Sequence, residues 1–214
     1  MYSSAPFREA RQDVLFQFIR DNPLGALISN AEAGGLSATH APLLLEPASG
    51  PHGVLCCHLA RANPHWQELA ASPAVLVIFG GAEHYVSPSW YPSKREHGKV
   101  VPTWNYAAVH VRGRARIFGG HQDLLAHLKA LTSANEALFS VPWTIENAPT
   151  EYIEGLTRSI VGIEITIEDI EGKWKLSQNR SASDQEGVVA GLEQLGTERS
   201  LRMADLMKKR RSEY

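Results

Sequence analysis

HYVSPSWYPSKREHGKVVPTWNYAAVHVRG, residues 84–113, packs three prolines, two tryptophans, three tyrosines and the cations Lys94 and Arg95 into a segment that opens and closes on β-type alternation. Trp and Tyr supply large flat faces with a polar handle. Proline fixes the backbone, so such faces are set before any ligand arrives. Two readings fit these residue types: a platform for a planar or charged ligand, and a buried aromatic corner of a β-barrel. From Asn105 to Phe118, Val109, Val111, Gly113, Ala115 and Ile117 alternate with His110, Arg112, Arg114 and Arg116. That is a strand with one apolar face and one basic face, which is how antiparallel sheets keep one side wet.

On the amino-terminal side, Glu9 to Arg20 carries Val14, Leu15, Phe18 and Ile19 at helical spacing and stops at Asn22-Pro23. Strands are expected at Leu24–Ser29, at Leu36–Leu45 with an edge or bulge at Pro42, and at Val54–Leu59 after the turn EPASGPHG. Asn63-Pro64 opens a short helix, and Ala74–Phe79 is a continuous apolar strand. On the carboxy-terminal side, His121–Leu131 is an amphipathic helix with Leu124, Leu125, Leu128 and Leu131 on its stripe. Tyr152–Leu156 reads as a helical turn and Ile160–Ile170 as a long strand, with Glu171-Gly172 predicted to turn a hairpin into Lys173–Ser177. Ser183 with Glu186 reads as a capping box for a helix that Gly196 stops. ERSLRMADLMKKRRSEY is a charged amphipathic helix. Six to eight strands with helices inserted between them predict a mainly β, antiparallel fold, a closed or split β-barrel. The expected division is a domain over 1–196 and a charged helix or tail over 197–214.

Composition narrows the classes. With 214 residues, 43% hydrophobic and 21% charged, the chain is an ordinary globular one. Its apolar runs are far shorter than a bilayer span, and MYSSAPFREARQD has no apolar signal region, so the expected compartment is the cytoplasm. Cys56 and Cys57 are adjacent in a strand and point to opposite faces, which suits packing and neither a disulfide nor a metal pair. A net charge of −2 offers no overall footprint for nucleic acid. Dinucleotide, P-loop and hydrolase-elbow motifs are missing, and the nine histidines show no zinc spacing.

Polar and cationic residues on strand ends and turns beside aromatics are Thr39, His40, His58, Arg61, Asn63, Ser87, Trp90, Lys94, Trp104, Asn105 and Tyr106. A phosphate-bearing planar ligand needs a cation for the phosphate, a hydrogen-bonding group for the ring edge and an aromatic or apolar wall. The set contains all three. Each member also has a plain structural reading: Arg61 capping a turn, Lys94 solvating a loop, His58 satisfied in a core.

Taken together, SATHAPLLL, CHLARANPHW, HYVSPSWY with VPTWNYAAVHVRG, and EGKWKLSQNR resemble the PaiB-type FMN-binding negative transcriptional regulators, over Met1 to about Leu195. The resemblance implies a dimeric FMN-binding split β-barrel, shared with pyridoxamine-phosphate oxidases and small flavin reductases. It implies a homodimer with FMN in a groove between two barrels. The strand with Thr39 and His40 would run beside the flavin, Arg61 would hold the phosphate, and Asn105 and Tyr106 would reach the ring or ribityl chain. Trp90, Lys94 and Trp104 are added from the pocket reading, while KWKLSQNR is assigned a structural role. The implied function is transcriptional repression. The alternative is an FMN-dependent oxidoreductase or flavin reductase. Direct DNA contact would fall to Arg112, Arg114 and Arg116 or to the tail Lys208–Arg211, with no membrane and no metal involved.

Overall fold

The computed structural model describes residues 1–31, 34–50 and 52–212. Pro51 of the predicted turn and Glu213–Tyr214 of the predicted terminal helix lie outside them. In chain order the elements are β1 Arg8–Glu9, α1 Gln12–Asp21, β2 Leu24–Asn30, β3 Leu36–Pro42, β4 Leu44–Glu46, β5 Val54–Ala60 and α2 His65–Ala71. There follow β6 Ala74–Val86, α3 Ser93–His97, β7 Thr103–Phe118, α4 His121–Glu136, α5 Thr150–Arg158, β8 Ile160–Lys175, α6 Ala182–Leu195 and α7 Glu198–Ser212. Among the described residues, the strands join in one sheet ordered β3-β2-β6-β7-β8-β5-β4, with β1 beside β8. Strand β2 pairs antiparallel with β3 and β6, and β5 with β8, with Leu27 opposite Thr39, Leu27 opposite Val77 and Cys57 opposite Ile163.

The chain divides into two compact units, and the three long strands contribute a segment to each. The first unit is Met1–Val14, Gly80–Val109 and Glu171–Tyr214. Its core holds Tyr91, Val109, Trp174, Leu176, Val188 and Leu192, with Met203, Ala204 and Met207 of α7 completely buried. Helices α6 and α7 pack on each other, and Trp90 lies so close to α6 that a Cβ on Gly191 would fall 2.4 Å from its ring. Glu9 is buried and accepts hydrogen bonds from Arg11 and from Arg210 of α7.

The second unit is Leu15–Phe79 and His110–Ile170. Alternation on β2, β5, β6, β7 and β8 sends Leu27, Leu55, Cys57, Val77, Val111, Ile163 and Ile165 inward. Close strand approach explains Gly113, where a Cβ would lie 2.2 Å from the Thr166 carbonyl oxygen. Both cysteines are buried, which pushes their thiols up to about 12 and leaves them unreactive packing groups.

Three local expectations are corrected. No hairpin forms at Glu171-Gly172: β8 runs through to Lys175, because β1 pairs alongside, Arg8 opposite Lys173 and Glu9 opposite Gly172. The cap of α6 is Ser181, which accepts from the Asp184 amide at 3.2 Å, and not Ser183 with Glu186. The predicted strand Leu36–Leu45 breaks at Leu43, whose amide donates to the Pro23 carbonyl, so it becomes β3 and β4.

Candidate functional site

In the second unit the middle of β3, the turn after β5 and the start of α2 converge on Thr39. Asn63 accepts the His65 amide at 3.0 Å through its side-chain oxygen, capping the first turn of α2 and turning its own NH2 toward Thr39 Oγ1 at 3.4 Å. His65 is buried; its Nδ1 lies 2.8 Å from Thr39 Oγ1 and its Nε2 lies 2.9 Å from buried Ser29 Oγ. Burial lowers the His65 pKa, partly opposed by Glu68, so the ring is neutral at physiological pH. Thr39 and His40 occupy neighbouring positions on the terminal strand of the sheet and face opposite ways. Only Thr39 belongs to this cluster.

His58, on β5, sits with Nδ1 3.1 Å from Nε2 of His127 on α4. Phe118 packs its ring edge-on against His127 and covers Gly162. Burial pushes His127 down to about 4, with His58 adding to the effect, and burial lowers His58 as well. Arg61 follows β5 directly. Its Nε donates to the Arg158 carbonyl and its Nη2 to the Ile160 carbonyl, both at 3.0 Å, while its own carbonyl accepts from Trp66 Nε1.

The first unit holds the other residues of the set. Trp104 and Tyr106 share the outer face of β7, and Asn105 between them points inward. Trp104 donates to Glu83 at 2.5 Å and carries the Arg199 guanidinium over its ring, while Glu83 pairs with Arg199. Lys173 Nζ lies over the rings of Tyr106 and Tyr2 and donates to the Tyr2 carbonyl. Lys94 is exposed and reaches Ser89 Oγ at 3.4 Å. Trp90 is half-buried against α6. Asn105 is sealed: its amide nitrogen donates to Ser177 Oγ and Met207 Sδ, and its oxygen accepts from the same Ser177 hydroxyl. The expectation that Asn105 and Tyr106 work as a ligand-facing pair therefore gives way, since adjacent strand residues face opposite sides.

The donor set fits a phosphorylated flavin. Arg61 has five N–H groups, and its two carbonyl contacts use only two of them, so a held guanidinium still offers an open fork to a phosphate. Thr39, Asn63 and His58 are short polar groups suited to the acceptor-rich edge of a flavin pyrimidine. The described residues hold no group of three or more His, Cys, Asp or Glu placed for a metal, and no helix among them is long and apolar enough to cross a membrane.

Sequence reasoning missed His65, Ser29 and His127. His65 follows the Asn-Pro helix start in RANPHW, and His127 interrupts the leucine stripe of α4, so both had a signal.

The chain is similar to several known proteins. A family profile described as "Putative FMN-binding domain" matches residues 1–169. An uncharacterized protein of Emericella nidulans is 35% identical over 244 residues, 98% of this chain and 97% of that one. The Bacillus subtilis "Protease synthase and sporulation protein PAI 2" is 33% identical over 207 residues, covering 97% and 96%. Among solved structures, the FAD and heme binding protein from Mycobacterium smegmatis superposes with a TM-score of 0.55 at 14% identity, over 86% of this chain and 80% of that one. The fold is the split β-barrel expected from the sequence, mainly antiparallel with inserted helices.

Proposed function

The chain belongs to the PaiB-type family of FMN-binding domains, and on that footing we propose that it is a homodimeric negative transcriptional regulator whose FMN phosphate is held by Arg61. FMN is the cofactor. Arg61 carries the phosphate assignment: two backbone carbonyls hold its guanidinium in place, so a charge-assisted contact costs little side-chain ordering. Thr39, Asn63 and His58 in the same unit are proposed to meet the flavin's polar edge. Within the first unit, Trp104, Tyr106, Trp90 and Lys94 are proposed as flavin contacts in their own right. His40 and Asn105 are left out, one for its face and the other for its burial. When bound, FMN supplies one- and two-electron chemistry while the protein binds and orients it.

The regulatory role is carried over from PAI 2, a full-length relative named for protease synthase and sporulation. Direct DNA contact has less support. Arg112 pairs with Asp169, Arg116 pairs twice with Glu164, Lys208 with Glu193 and Arg211 with Glu186. These carboxylates neutralise most of the two basic runs, and regulation through the flavin's state or a protein partner fits such a surface better than groove reading.

The same pairing favours a second reading, an FMN-dependent oxidoreductase. Two assays on the FMN-loaded chain separate them: a gel shift of promoter DNA across salt concentrations, and oxidation of NADH or NADPH. A salt-sensitive shift supports direct repression. Nicotinamide oxidation without a shift supports the enzyme.

A further inference from the structure

The hydrogen-bond chain Ser29–His65–Thr39–Asn63 has a direction that can be worked out from its members. Asn63 presents its NH2 to Thr39, because its oxygen is taken by the His65 amide. Neutral His65 carries one ring proton, on Nδ1 or on Nε2. Were it on Nε2, Ser29 would accept from the ring, and its own O–H, in a residue 4% exposed and with no second partner, would be a buried donor without an acceptor. Buried orphan donors are rarer and costlier than acceptors with a spare lone pair. With the proton on Nδ1, Ser29 donates to Nε2 and Nδ1–H donates to Thr39. Thr39 then accepts from both His65 and Asn63, which leaves its own O–H pointing out of the network.

The second imidazole pair follows the same rule. Nδ1 of His127 is buried without a partner. A proton there would be an orphan donor, so the proton sits on Nε2 and is donated to His58 Nδ1. His58 then carries its proton on Nε2, an atom with no hydrogen-bond partner among the described residues.

We propose that His65 and His127 are positioning residues that fix the Thr39 hydroxyl and His58 Nε2–H as hydrogen-bond donors, so that each of these two positions of the second unit takes only an acceptor atom of a ligand. The proposal rests on the reading that FMN lies against Thr39 and His58. Oxidised FMN suits it, since N1, N5, O2 and O4 of the ring and the phosphate oxygens all accept, and N3–H is the one donor of the ring.

Two measurements on the full chain test it. The first needs no flavin: nitrogen-15 chemical shifts of the histidine rings, assigned by loss of signal in His65→Asn and His127→Gln. Protonated Nδ1 in His65 and protonated Nε2 in His127 and His58 are expected. Protonated Nε2 in His65, or protonated Nδ1 in His127, overturns the proposal whatever FMN does. The second is FMN titration by fluorescence quenching. Thr39→Val and His65→Leu should each weaken FMN about three- to tenfold, the double variant should be no weaker than Thr39→Val alone, and His65→Asn, which keeps an N–H near the Nδ1 position, should stay within about twofold of the parent. If Thr39→Val weakens FMN and His65→Leu does not, the relay is wrong and the FMN site stands. An unchanged affinity in Thr39→Val removes Thr39 from the FMN site, while the ring shifts still decide the hydrogen-bond direction. Should His65→Leu fail to fold, His65→Asn and the ring shifts decide alone.

Discussion

Asn105 and Ser177 hold each other through the same hydroxyl: the amide nitrogen of Asn105 donates to Ser177 Oγ at 3.0 Å, and Ser177 Oγ donates back to Asn105 Oδ1 at 3.2 Å. Ser177 has a φ of 65°, a left-handed backbone that side chains with a Cβ resist. The pair ties PTWNY to KWKLSQNR, which gives the second motif a structural role. Ser177→Ala loses the hydrogen bonds and keeps the strained φ, whereas Ser177→Gly loses the bonds and relieves the strain. Urea unfolding should show Ser177→Ala destabilised by about 1–3 kcal/mol and Ser177→Gly by about 1 kcal/mol less. Equal losses would mean the backbone is not strained at Ser177.

Gly191 and Trp90 make a testable pair in the same unit. A methyl at Gly191 runs into the Trp90 ring, so Gly191→Ala should cost about 1–3 kcal/mol by overpacking. Trp90→Ala should cost a comparable amount through lost burial. Combined, they should cost less than their sum, because the ring that clashes is gone. Strict additivity in urea unfolding would show that the two do not touch.

Legibility in the sequence followed the range of the interactions. Helix α1, the alternation on β7 and the stop at Gly196, whose φ is 64°, were readable because each depends on near neighbours. The run of β8 past Gly172 was not, because its partner there is a two-residue strand more than 160 positions earlier. Of the proposed site, Arg61, Thr39, Asn63 and His58 are legible by residue type, but the contacts that bury His65 and His127 come from Ser29 and His58, far off in the chain. The separation of Asn105 from Tyr106 follows from the two-residue period of a strand, which their shared polarity masks.

Acid should weaken the second unit through His127. Its folded value of about 4 lies below the ordinary 6.5, so between those values the unfolded chain binds a proton that the folded chain does not. Stability therefore falls as pH is lowered from about 6.5 toward 4, by roughly 3 kcal/mol from this group. His127→Gln should flatten that part of the stability profile measured by urea unfolding. A profile as steep as the parent's would assign the acid sensitivity elsewhere.

Helix α7 should behave as part of the first unit's core. Removing residues 197–214 takes away buried Met203, Ala204 and Met207 and the Arg210 contact to Glu9. The shortened chain should lose cooperative unfolding or become insoluble. Glu9→Gln should cost about 3 kcal/mol, as breaking a buried ion pair does. Burial alone would raise the Glu9 pKa, but the hydrogen bonds from Arg11 and the Arg210 charge outweigh it and hold the carboxyl below its usual 4.5. That contribution is therefore present at neutral pH and disappears as the pH falls below 4.5.

The most direct test of the cofactor assignment is an FMN titration of flavin-free protein carrying Arg61→Ala, beside the parent chain and Arg61→Lys. Loss of a charge-assisted phosphate contact should weaken FMN by about 1.5–3 kcal/mol, more than tenfold in Kd, with Arg61→Lys between the two. Riboflavin, which lacks the phosphate, should bind the parent and Arg61→Ala alike. An FMN affinity unchanged by Arg61→Ala would contradict the account, and the phosphate would have to be held elsewhere.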